Sequence, residues 1–163
     1  MPVDSSFLLW YDLHFENYIW YKVNRYCDNF TEPCTVDIGV NHLNLLVGRL
    51  TNRSKRLLRT SARLMCSSPN SAELLSKLAG EYSQQTITVG KIISITYLIA
   101  QIAQIYISQG KHTEVKELLA QVRVNIKKYI DNHCYTIHLT RSHFMILSSL
   151  FSIGIIWLCF KLM

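Results

Sequence analysis

The sequence predicts an all-α protein: a helical bundle around an apolar central helix, followed by a C-terminal transmembrane anchor. Three observations predict this fold class. They are an apolar run at residues 92–107, amphipathic helical stripes on both sides of it, and an uncharged apolar segment at residues 144–160. A chain of 163 residues can bury a sizeable core as one domain. We therefore expect the bundle to occupy residues 1–140 and the anchor residues 141–163.

The central run is apolar on nearly every side. Between Ile92 and Ile107 it is interrupted only by Ser94, Thr96, Gln101 and Gln104. A helix that is apolar all round must be buried, either in a bundle or in a membrane. The two glutamines favour the bundle over a membrane span, because polar side chains inside lipid are costly. We expect a core helix across Thr88–Gln109, ended by Gly110 in the left-handed conformation.

The segments before the central run carry apolar residues at helical spacing. A first helix is predicted over residues 7–26, and its stripe is Phe15, Ile19, Val23 and Tyr26. A second stripe contains Val40, Leu43, Leu46 or Val47, and Leu50. After a bend near residues 52–54, the apolar positions are Leu57, Leu58, Ala62 and Met65.

Two further helices complete the predicted bundle. Asn70, with Glu73 three positions later, is typical of a capped helix start, and this helix is expected to end near Gln85. The last bundle helix is predicted over residues 113–130, and one of its faces carries Val115, Leu118, Leu119, Val122, Ile126 and Ile130.

The C-terminal segment is long enough to cross a bilayer. As a helix, residues 144–160 would extend about 25 Å, close to the ~30 Å of a hydrocarbon core. A buried last helix of the bundle is the alternative. The position of the segment favours a tail anchor that inserts after translation and leaves the bundle in the cytosol.

No pattern in the sequence demands catalysis. HExxH, GxSxG, GxGxxG and a phosphate-cradling glycine loop are all missing from it. The group His133, Cys134, His138 and His143 matches no standard metal-site spacing. Five cysteines without a CxxC pair fit a reducing compartment. We expect neither enzyme activity, nor a cofactor, nor a bound metal.

A basic stripe follows the predicted bend. Its members fall at helical spacing and are Arg49, Arg53, Arg56, Arg59 and Arg63, with Lys55 beside them. Three interpretations stay open: a solvated face, contact with anionic lipid headgroups, or contact with an acidic helical peptide. Nucleic acid is disfavoured as a partner, because no aromatic residues interleave with the arginines.

The helix order and three motifs resemble the Bcl-2 family of apoptosis regulators. Residues 17–23, NYIWYKV, look like the N-terminal homology motif of pro-survival members. Residues 86–93, TITVGKII, look like the first homology motif, with Val89 and Lys91 in place of its usual tryptophan and arginine. Residues 129–135, YIDNHCY, are similar to the second motif without its glycine pair. The closest likeness is to the Boo/Diva (Bcl-2-like ten) branch, and the short loops would suit a virus-encoded member.

The resemblance implies an apolar groove, formed by the second to fifth helices, that takes the BH3 helix of a partner. Carried over position by position, the lining residues are Leu50, Leu58, Leu78, Tyr82, Ser94 and Leu98. Gly90 would let the partner helix approach closely, and Lys91 would pair with its aspartate. Core packing of the lining residues, and a plain surface lysine at position 91, are the alternatives.

The function implied by the resemblance is anti-apoptotic. Such a protein sits on the cytosolic face of the mitochondrial outer membrane or endoplasmic reticulum. There it binds Bax-like, Bak-like and BH3-only proteins and blocks permeabilisation of the outer membrane. Two alternatives are a pro-apoptotic relative that permeabilises this membrane and a tail-anchored adaptor without groove function.

Overall fold

In a computed structural model of the chain, the structure describes residues 5–27, 32–83 and 87–132. They form helices α1 (Ser5–Asn24), α2 (Ile38–Gly48), α3 (Asn52–Ser67) and α4 (Ser71–Gly80), a 3-10 turn (Glu81–Ser83) and α5 (Val89–Ser108). Residues 112–132 are also helical and are called α6. The predicted all-α class is confirmed for these residues, whereas the predicted anchor at 144–160 lies outside them.

The chain divides into two compact units, Met1–Tyr129 and Ile130–Met163. The first unit contains α1 to α5 and α6 as far as Tyr129. Its centre is α5, which packs against α1, α2 and α3. Twelve of the 20 side chains of α5 are buried, as expected of a core helix.

Among the described residues, α5 is the one helix that is long and apolar enough to cross a membrane. Its mean hydropathy is 1.3. Inside this protein, however, 67% of its most apolar stretch is already buried. The apolar surface of α5 is therefore covered by neighbouring helices. This supports its predicted position in the core of the bundle.

Both ends of α5 lie where the sequence predicts them. Thr88 caps the start, because its hydroxyl accepts a hydrogen bond from the backbone N–H of Lys91. At the other end Gly110 has a φ of 76°, and its N–H donates to the carbonyl of Ile107. The N–H of Lys111 donates to the carbonyl of Tyr106, which completes a Schellman ending.

Helix α1 buries one face against α2 and α5. Phe15, Ile19 and Val23 are buried as predicted. Tyr26 is 64% exposed, so its predicted place on this stripe is wrong. The helix ends at Asn24, whose side-chain amide exchanges two hydrogen bonds with the backbone of Glu32. The chain therefore turns away before position 26 can continue the helical face.

Helices α2 and α3 are separate, and the chain breaks between them close to the predicted bend. Thr51 caps α3 by accepting a hydrogen bond from the N–H of Ser54. Leu57, one of the apolar positions of this segment, is 61% exposed, because the buried face of α3 runs through Ala62 and Cys66. Asn70 precedes α4 as predicted but makes no side-chain capping bond.

The predicted face of α6 is confirmed within the first unit. Val115, Leu118, Leu119, Val122 and Ile126 are all buried. Arg123, on the outer side of α6, lies 3.4 Å from a carboxylate oxygen of Glu16 and 3.8 Å from one of Asp12. These ion pairs connect α6 to α1.

Candidate functional site

The predicted groove residues on α5 share one face of the helix. Gly90, Ser94 and Leu98 follow each other at four-residue intervals, which places them in a row along the helix. Gly90 is exposed, and a Cβ atom added to it would meet nothing within 4 Å. Ser94 is half-buried, and its hydroxyl donates to the carbonyl of Gly90 at 2.9 Å. Leu98 is buried. The face is thus open at the start of α5 and closes towards its middle.

Lys91 lies beside this open face and is ion-paired with a carboxylate of the same chain. Its ammonium forms an ion pair with Glu81 of the 3-10 turn. Both side chains are about one-third exposed, so solvent can reach the pair. The structure therefore shows Lys91 in an internal ion pair that the sequence did not indicate.

The remaining leucines of the predicted groove come from other segments. Leu78 on α4 is buried, whereas Leu58 on α3 and Leu50 before α3 are half-buried. Helix α3 contacts both α4 and α5. Leu58 can therefore offer part of its surface to a partner, and Leu78 can offer little.

Tyr82 is a correction to the predicted groove. Its side chain is only 1% exposed, and its hydroxyl lies 2.8 Å from that of Tyr11. Tyr11 also lies 2.7 Å from the hydroxyl of Thr96, which donates to the carbonyl of Ile92 at 2.7 Å. Tyr82 is thus a core residue, held by a polar network that joins α1 to α5, and does not line a groove.

The donors of this network follow from hydrogen-bond chemistry. A carbonyl oxygen can only accept, so the Thr96 hydroxyl donates its single proton to the Ile92 carbonyl. It must therefore accept a hydrogen bond from the Tyr11 hydroxyl. Tyr11 has then used its own proton, so Tyr82 donates to Tyr11. Burial raises the pKa of both phenols well above the ordinary value, which keeps them protonated.

Four arginines of the predicted basic stripe lie on α3, whereas the fifth, Arg49, is the C-cap residue of α2, so the predicted single face from Arg49 to Arg63 is wrong. Arg53, Arg56 and Arg63 are exposed, as is Arg59, whose Nε donates to the Tyr97 hydroxyl at 2.7 Å. In the described part of the chain, no three His, Cys, Asp or Glu side chains lie close enough together to hold a metal ion. The histidine group at 133–143 lies outside the described residues.

Two features were missed by the reasoning from sequence. Glu81 was not connected to Lys91, because the two residues are ten positions apart across a turn. Leu57 and Leu64 are large exposed apolar residues on α3. Their seven-residue spacing puts them on one helical face, which was the available signal.

No protein-family model matches this chain, and neither a curated protein nor a solved structure matches it. The likeness to the Bcl-2 family therefore rests on the motifs and helix order of the sequence. Any functional assignment must come from the chemistry of the described residues together with those motifs.

Proposed function

We propose that this chain is an anti-apoptotic, Bcl-2-like protein that binds the BH3 helix of a pro-apoptotic partner. The observation that carries the proposal is the start of α5, where an open glycine adjoins a lysine that holds a carboxylate. A BH3 helix presents a small residue followed by an aspartate. In our proposal, the small residue passes over Gly90 and the aspartate pairs with Lys91.

Glu81 gives this site an internal competitor. The partner's aspartate would displace Glu81 from Lys91, so that one ion pair replaces another. The net gain from the lysine is therefore small, and most affinity must come from apolar contacts. Leu58, the predicted groove residue on α3, is half-buried and can supply such contacts.

The predicted anchor completes the proposal. Residues 144–160 would hold the bundle on the cytosolic face of the mitochondrial outer membrane or endoplasmic reticulum. Bound there, Bax-like, Bak-like or BH3-only partners would be kept from permeabilising the outer membrane.

The test replaces the open glycine. Gly90→Glu should abolish binding of a fluorescent BH3 peptide, because its side chain would fill the space that the peptide backbone needs. The fold should persist, because nothing within 4 Å of the new Cβ has to move. Gly48→Glu is the matched control, because Gly48 is also a helical residue and a Cβ atom added to it would meet nothing within 4 Å.

Peptide titration and a thermal melt of each variant decide the matter. We expect parental binding by Gly48→Glu, and a melting temperature at or above the parental value for both variants. If Gly90→Glu binds the peptide as tightly as the parent, the groove assignment is wrong. A tail-anchored adaptor without groove function would then be the better proposal.

A further inference from the structure

A second feature of the first unit is a small polar cavity away from the start of α5. Its volume is about 160 Å³, and residues of α1, α2, α3 and α5 line it. Three of its lining side chains are cations, namely Lys22, Lys55 and Arg59. None of the lining residues, all in the described part of the chain, is acidic. The cavity wall therefore concentrates positive charge, and no carboxylate in the wall neutralises it.

Two of the cations are held in place by neighbours in the wall. The Nε of Arg59 donates to the Tyr97 hydroxyl at 2.7 Å, and Tyr97 is itself buried. The Nζ of Lys55 donates to the carbonyl of Gly48 at 2.8 Å. Each bond uses one N–H of its group, and a guanidinium or an ammonium carries further donors. The hydrogen bonds orient the head groups without neutralising their charge.

The third cation, Lys22, comes from α1. Lys22 is half-buried, and its Nζ lies 5.8 Å from the centre of the Tyr18 ring. Burial lowers the pKa of Lys22, and repulsion by Arg25 and Lys55 lowers it further. The charged form of Lys22 is therefore disfavoured by burial and by the nearby Lys55, and a bound anion would stabilise it.

Neutral donors complete the wall. Gln101 and Gln104 line the cavity from α5, and the Gln101 Nε2 donates to the Gln104 Oε1 at 3.2 Å. Gln104 in turn donates to the backbone carbonyl of Lys22 at 3.4 Å, which ties α5 to α1. The glutamines that interrupt the apolar central helix therefore belong to this cavity.

We propose that the cavity between α1, α2, α3 and α5 binds a phosphate monoester group. Cationic and amide donors without a carboxylate match a compact dianion, and arginine matches phosphate oxygens in geometry. A volume of about 160 Å³ is below the roughly 300–1,000 Å³ of sites for larger organic ligands, so the phosphate group itself is the recognised part. Neither Gly90 nor Lys91 lines this cavity, so it is a different site from the proposed BH3 contact.

The test uses the full chain in a neutral detergent, titrated with inorganic phosphate at constant ionic strength by calorimetry. Lys55→Gln and Arg59→Gln should each weaken phosphate binding by about tenfold, the loss of one charge-assisted contact. Arg63→Gln is the matched control, because Arg63 is exposed on the same helix one turn beyond Arg59 and does not line the cavity. It should bind phosphate like the parent.

Competition between inorganic phosphate and two monoesters then identifies the kind of molecule that carries the recognised phosphate group. Glycerol phosphate is a soluble monoester, and phosphatidic acid in mixed micelles is the same monoester on a lipid. Both outcomes, preference for the lipid or equal competition, support the site and name its ligand class. The proposal is overturned if phosphate shows no saturable binding or if Arg63→Gln weakens binding as much as Arg59→Gln. Equal competition by phosphatidylglycerol, a diester, would also overturn it.

Discussion

Tyr11 connects three segments through one hydroxyl group. It contacts Tyr82 from the 3-10 turn and Thr96 from α5. Tyr11→Phe removes both hydrogen bonds and leaves buried polar atoms behind, so we expect a loss of about 1–3 kcal/mol of unfolding free energy. Tyr82→Phe removes one bond and should cost less, about 1 kcal/mol.

Urea unfolding monitored by circular dichroism measures both changes. Tyr26→Phe serves as the control, because Tyr26 is largely exposed and its replacement should leave stability unchanged. Equal stability of Tyr11→Phe and the parent would mean that water satisfies the network.

Glu81 is the second residue that the structure makes testable. Glu81→Gln removes the carboxylate of the ion pair with Lys91, so a BH3 peptide no longer has to displace that carboxylate. The pair is partly exposed, and pairs of this kind are worth about 0.2–1 kcal/mol. We therefore expect peptide binding to tighten by up to about fivefold.

The matched control for this change is Glu73→Gln. Glu73 pairs with Lys77 at 2.7 Å on the exposed side of α4, so the variant loses the same charge without touching Lys91. Fluorescence titration with one BH3 peptide should give parental affinity for this control. Weaker binding by Glu81→Gln than by the parent would argue that Lys91 needs Glu81 for its orientation.

At the scale of elements, the contact between α1 and α2 depends on a missing side chain. A Cβ atom at Gly39 would overlap the imidazole ring of His14, whose Nδ1 lies 3.1 Å from a carboxylate oxygen of Asp37. Gly39→Ala should therefore force the helices apart and cost about 1–3 kcal/mol.

Gly48→Ala provides the comparison in the same helix. Its Cβ would meet nothing within 4 Å, and alanine is favoured over glycine in helices by about 0.5–1 kcal/mol. We expect opposite signs for the two changes in urea unfolding. If Gly39→Ala is as stable as Gly48→Ala, the close approach of α1 and α2 does not exist in solution.

The sequence predicted elements better than contacts, for physical reasons. Helical periodicity and end signals such as Thr88 and Gly110 act locally, so they placed α5 almost to the residue. A list of apolar positions does not say which of them meet a neighbouring helix: on α3, Leu57 is exposed and Ala62 is buried. Tyr82 was assigned to the groove by the resemblance, whereas its buried hydrogen bond to Tyr11 joins residues 71 positions apart and could not be predicted from a local pattern.

The candidate sites show the same division. Gly90 and Lys91 could be singled out from one local motif, and the structure puts them beside an open face. The basic cavity could not be predicted, since its cations come from α1 and α3 and its glutamines from α5. Only packing brings these residues together.

At the scale of the whole molecule, two apolar segments are candidates for the membrane span of our proposal. Helix α5 meets the length and hydropathy requirements, but its neighbours in the bundle already bury most of it. Pulling it into lipid would require the core of the first unit to open. Membrane attachment should therefore depend on residues 144–160, which carry no charge.

Truncation after His143 tests this assignment. The shortened protein should leave the membrane fraction and appear in the soluble fraction of expressing cells, whereas the full chain should resist alkaline extraction. Ile155→Arg in the full chain is a milder version of the same test, because an arginine near the centre of a span costs about 2.5–3.5 kcal/mol on insertion scales. We expect it to weaken membrane retention without unfolding the bundle, since the change lies outside the first unit. If the truncated protein still resists alkaline extraction, α5 is the membrane span, and its place in the core describes a different state of the protein.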